Sequence, residues 1–134
     1  VLRRNSFRLP RHPASVGLAR RRVRDHLADW GHGPDDRAVT DAVLVVSELA
    51  TNVIRHGPLR EREFEVAVTA LADGSCLIEV SDEDRREPRP RAVGEWEEHG
   101  RGLHLVAHLA TTWGVWSRGH HGKTVWALIL ATTA

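Results

Sequence analysis

With 19 basic and 18 acidic side chains on 134 residues, the chain is close to electroneutral, so its net charge argues for neither a nucleic-acid nor a membrane partner. A single cysteine, Cys76, excludes an internal disulfide framework and fits a reducing compartment. No apolar run approaches the ~20 residues of a membrane span and no signal-type apolar stretch opens the chain, so one soluble, cytoplasmic domain over residues 1–134 is expected.

In chain order, "NSFRLP" (5–10) reads as a short edge strand, ended by Pro10 and Pro13. Val16, Ala19, Val23, Leu27 and Trp30 then recur at helical spacing, with Gly31 as a stop. Eight arginines and no acid fall within residues 1–24, and those at 20, 21, 22 and 24 surround the other faces of this helix, a solvated shell rather than a nucleic-acid site. A second helix is expected from about Pro34, with Asp35 and Asp36 favourable at its start, to Gly57-Pro58. "EFEVAVTAL" (63–71) and "CLIEVSD" (76–82) alternate with period two around the hairpin signal "ADGS".

Residues 83–99 are charged, contain two prolines and lack periodicity, as a functional lid or a disordered segment does. Helical spacing returns in "GRGLHLVAHLATTW" (100–113), and "GVWSR" (114–118) and "KTVWALIL" (123–130) form strands around "GHHG". The order β-α-α-β-β-loop-α-β-β predicts helices packed on one face of a mixed sheet.

Three places in this pattern carry chemistry. Glu48 and Asn52, four residues apart on one helix face, place a carboxylate one turn from a carboxamide. The pair reads either as a solvated rim or as a pocket wall, in which the amide oxygen suits Mg²⁺ and the carboxylate can take a proton. Asp82, at the end of a strand, either starts a turn or accepts a hydrogen bond from an exocyclic amine. "HGRGLHL" opens a helix with two glycines, whose free N–H groups suit phosphate. His104, His108, His120 and His121 lack the cysteines or further ligands of a zinc site and read as surface histidines.

Taken in order, "ELATNVIRHG", "VSDED", a lid, "HGRGLHLV" and "GKTVWAL" resemble the GHKL or Bergerat-fold ATPases, and within them the bacterial anti-sigma-factor serine kinases. The resemblance covers roughly residues 6–131. It implies an α+β two-layer sandwich, a mixed, mostly antiparallel sheet with helices on one face, and ATP bound between the long helix and the lid at 83–99. By the same resemblance Glu48 is the general base and Asn52 the Mg²⁺ ligand, while Asp82 binds adenine. Gly100, Arg101, Gly102 and Leu103 meet the phosphates, and Thr124 on the last strand lies near the adenine. The implied activity is transfer of the γ-phosphoryl of Mg-ATP to a serine of an anti-anti-sigma protein of the STAS type, with a sigma factor as the other partner. The alternative is a nucleotide-binding regulator that acts by protein contacts alone. A homodimer is expected, and no direct contact with nucleic acid or membrane. The first glycine box departs from its D-x-G form, since Asp82-Glu83-Asp84 stands there.

Overall fold

Alternating apolar positions build a sheet with one dry face, and the helices that bury it come from two separate stretches of chain. The computed structural model describes residues 3–33, 35–56, 62–82, 105–117 and 122–131. Its strands are β1 (Arg3–Pro10), β2 (Glu63–Ala70), β3 (Cys76–Asp82), β4 (Thr112–Ser117) and β5 (Lys123–Ile129). They pair in the order β1-β2-β3-β5-β4. Helices α1 (Ala14–Asp29) and α2 (Arg37–His56) connect β1 to β2, and a helical turn at 105–109 precedes β4.

Cross-strand partners share a face, which makes the register a map of the core. Phe7 lies opposite Val66, Val66 opposite Val80, Val80 opposite Val125, and Val125 opposite Val115. On the same face Leu9, Phe64, Val68, Ile78, Ala127 and Ile129 join the core, against Val39, Ala42, Val46, Leu49 and Val53 of α2. α1 adds Ala19, Val23 and Leu27, each fully buried. This is the expected α+β architecture with helices on one face. All four described ladders are antiparallel. β3 and β4 do run the same way, but β5 lies between them and pairs with both.

Local chemistry sets the ends of the elements. α1 begins at Ala14, where His12 Nδ1 accepts the Ala14 N–H at 3.0 Å and the Ser15 hydroxyl donates to Pro10 O at 2.6 Å. It ends at Gly31, whose φ of 94° lets the His32 N–H return to Leu27 O at 2.9 Å. α2 starts at Arg37 rather than near Pro34, because the Asp36 carboxylate accepts the Ala38 N–H at 2.9 Å and so acts as the cap. β4 starts at Thr112 rather than Gly114, since the Thr111 N–H already donates to Leu128 O at 2.8 Å.

Cys76 is buried and free, and burial, helped by the charges of Asp36 and Asp73, pushes its thiol up to about 11. It is a core side chain rather than a reactive one. No described helix is long and apolar enough to cross a membrane.

Among the described residues, the other sheet face bears no helix. Arg4 meets Glu79 at 3.8 Å and Arg8 meets Glu63 at 3.9 Å there. Trp126 packs on Gly114 and stacks with Trp116, ring centroids 5.5 Å apart. A Cβ at Gly114 would stand 2.9 Å from Trp126 Cζ2, so the indole needs glycine beneath it. Gly114→Ala should therefore cost ~1–3 kcal/mol by overpacking. Urea unfolding followed by tryptophan emission measures this, and an unchanged midpoint would mean the ring swings aside freely.

Candidate functional site

α2 presents its polar stripe on the flank away from the buried Val46, Leu49, Ala50 and Val53. Two of its hydroxyls are consumed by the helix itself: Ser47 Oγ donates to Val43 O at 2.8 Å, and Thr51 Oγ1 donates to Ser47 O at 2.7 Å. Glu48 and Asn52 differ. Both are half-buried, and the side chain of neither enters a hydrogen bond or ion pair with another described residue. One helical turn apart, their Cβ atoms stand about 6 Å from each other.

The end of α2 is tied down by a residue far away in sequence. Arg11 donates through Nε to Val53 O at 3.3 Å and through Nη2 to Ile54 O at 3.1 Å, while its backbone N–H donates to Arg62 O at 2.9 Å. The guanidinium thus takes up carbonyls that a helix C-terminus leaves over. It also fixes the Asn52 end of α2 at the sheet edge where β1 ends and β2 begins.

β3 ends at that same edge. Leu9 is opposite Phe64 and Ser81 is opposite Glu65, so Asp82, the next residue, lies level with Phe64. Asp82 continues the row of Ile78 and Val80 and therefore faces the helix layer, with only 6% of its surface exposed. The buried Asp82 and the C-terminal part of α2, which carries the half-buried Glu48 and Asn52, thus lie toward the same end of one sheet face. That arrangement offers a hard oxygen ligand, a proton acceptor and a buried hydrogen-bond acceptor to a ligand entering from the sheet end.

The structure does not bring Thr124 into this group. Thr124 is opposite Ser81, and their hydroxyls are hydrogen-bonded at 2.7 Å on the face away from the helices. The β5 residue that shares both the end and the face of Asp82 is Lys123, its cross-strand partner. Sequence matching passed over Lys123 and Arg11. Period two counted back from Val125 finds the first; no local pattern finds the second, which acts across 42 residues. Gly100, Arg101, Gly102, Leu103 and the lid at 83–99 lie outside the described residues. Val106, just after them, is fully buried in the core. Among the described residues no group of three or more His, Cys, Asp or Glu side chains is placed to hold a metal ion.

Residues 9–129 match the family model of the histidine kinase-like ATPase domain. The chain belongs to this family. The resemblance to the GHKL ATPases read from the ordered motifs is thus membership at the level of the ATPase domain. The protein SCO4941 of Streptomyces coelicolor is 37% identical over 76 residues, which make up 55% of this chain and 71% of that protein. Among solved structures, the RsbU and RsbW domains of Rv1364c from Mycobacterium tuberculosis align with a TM-score of 0.72 at 19% identity, over 98% of this chain and 33% of the mycobacterial one. The SiaB–SiaC complex from Pseudomonas aeruginosa gives 0.63 at 16% identity, over 93% of this chain and 88% of the other. At these identities the likeness is one of fold. This ATPase domain corresponds to about a third of the mycobacterial chain.

Proposed function

We propose that this ATPase domain binds Mg-ATP and acts as an anti-sigma-factor-like serine/threonine kinase. It transfers the γ-phosphoryl group to a serine of a STAS-type anti-anti-sigma protein and otherwise holds a sigma factor. The observation that carries the reading is the Glu48–Asn52 pair, whose side chains bond no other described residue, toward the same end of the helix-side layer as the buried Asp82. Phosphoryl transfer asks mostly for positioning and charge stabilisation, so a few well-placed groups suffice.

The residues present fit a magnesium ion that arrives with a triphosphate. Mg²⁺ keeps several waters, takes phosphate oxygens and asks the protein for one or two hard oxygens, which the Asn52 carboxamide supplies. When bound, the ion neutralises charge on the phosphates. Glu48 accepts the proton of the attacking serine, and Asp82 accepts a hydrogen bond from the adenine amine. By the motif resemblance, Gly100, Arg101, Gly102 and Leu103 steady the phosphates. Thr124, bonded to Ser81 on the other face, is left to support the strand rather than the base.

A protein substrate is supported by the fold neighbour SiaB, which occurs in a complex with a second protein, SiaC. Incubation with labelled ATP, Mg²⁺ and candidate STAS proteins from the same genome tests the reading. Label on a serine of one of them supports it. ATP binding without transfer to any would leave the non-catalytic regulator, which Asp84 in the place of a glycine favours.

The reading includes a homodimer. β1 is an eight-residue edge strand, paired with β2 on one side, and it can extend the sheet across a two-fold axis. Light scattering should show twice the chain mass at micromolar concentration. A monomer at high concentration, with or without nucleotide, argues against it.

A further inference from the structure

Given a nucleotide in this site, we propose that Lys123 is the residue that selects adenine, donating to N1 of the base while Asp82 accepts from its amino group. Adenine presents a donor, its amine, next to an acceptor, N1; guanine presents the reverse, a carbonyl next to an N–H. A protein that distinguishes them needs an acceptor beside a donor on one surface. An ionised Asp is acceptor-only and a Lys ammonium is donor-only, so an Asp–Lys pair has the right polarity for adenine and the wrong one for guanine.

The fold sets that pair in place. Asp82 on β3 and Lys123 on β5 are direct cross-strand partners, which puts their Cβ atoms about 4.5–5.5 Å apart. The next pair inward on the same face is Val80 and Val125, both in contact with the core under α2, so Asp82 and Lys123 stand at the mouth of the helix-side layer. Asp82 is buried and Lys123 half-buried, which leaves the flexible lysine stem to adapt to a base resting against the carboxylate. Thr124 cannot take this part, because its hydroxyl is on the opposite face and bonded to Ser81. The ammonium carries three donors, so it can meet Asp82 and the base together. Lys123 is also the single lysine in a chain with eighteen arginines. A compact, pivoting point donor suits this place, whereas the wide planar guanidinium fork needs more room.

The test uses the full chain with three nucleotides: ATP, GTP and 1-deaza-ATP, in which a C–H replaces N1. Calorimetry on the unmodified protein should give ATP an advantage of about tenfold or more over each of the others, the worth of a hydrogen bond to a charged group. Lys123→Met should weaken ATP by about tenfold and leave 1-deaza-ATP unchanged, since that ligand has no acceptor to lose. Lys123→Arg, which keeps the charge and a donor, should retain part of the preference for ATP. If Lys123→Met lowers ATP and 1-deaza-ATP in the same proportion, the lysine only supports the strand pair and the proposal is overturned. Unaltered ATP binding in both variants overturns it as well. These outcomes are distinct from failure of the nucleotide reading itself, in which the unmodified protein binds none of the three.

Discussion

Glu48→Ala should leave the affinity for Mg-ATP within a few-fold and slow transfer to the partner serine by ~10²–10⁴. The reason lies in what the carboxylate does at each stage. In the proposed reaction it touches neither the base nor the metal before transfer, so the ground state loses little when it is removed. At the proposed transition state it takes the serine proton, and without it that proton would have only water to go to. Its setting suits the part: Glu48 is half-buried on α2 and not held by any described neighbour, so nothing must be broken for it to accept a proton. A glutamate that merely dresses a helix surface gives no such separation of binding from rate. Single-turnover transfer, with nucleotide affinity measured on the same samples, decides. Transfer at the unmodified rate would remove the general-base assignment, and parallel loss of affinity and rate would point to damage in the helix.

Much of this site was legible in the sequence because its parts follow periodicities. Period 3.6 put Glu48 and Asn52 on one flank of α2, and the structure places both there, clear of the core stripe. Period two gave β3 and its end at Asp82. The α+β layering followed from the order of the elements. What stayed hidden depends on register. Whether Lys123 or Thr124 faces the helices turns on a one-residue phase of β5, and a slip of one residue exchanges every side chain between faces. Motif matching chose the threonine for its chemistry; the pairing of Asp82 with Lys123 settles which side chain shares its face. Arg11 was illegible for another reason. Its contacts with Val53 O and Ile54 O join segments brought together only by folding, and among eight arginines in the first 24 residues nothing marks it out.

Asn52→Ala should give the complementary result, a loss of Mg-ATP affinity by about ten- to a hundredfold, the scale of losing one contact to a charged group. The carboxamide oxygen is proposed to touch the ion directly, so its removal acts on the bound ground state and on the transition state alike. The signature is therefore in the metal dependence. In the unmodified protein ATP affinity should rise steeply with Mg²⁺, and in Asn52→Ala that rise should flatten, while metal-free ATP binds both proteins equally. Asn52→Asp provides the control, because it keeps an oxygen at the same place and adds a charge that strengthens a hard-cation site. Glu48 and Asn52 stand one turn apart on the same helix, so a general loosening of α2 would affect both variants in the same way. Opposite signatures, one in rate and one in metal-linked affinity, cannot come from loosening. Should Asn52→Ala bind Mg-ATP with unchanged metal dependence, Asn52 is not the ligand, and the polar stripe of α2 is a solvated rim.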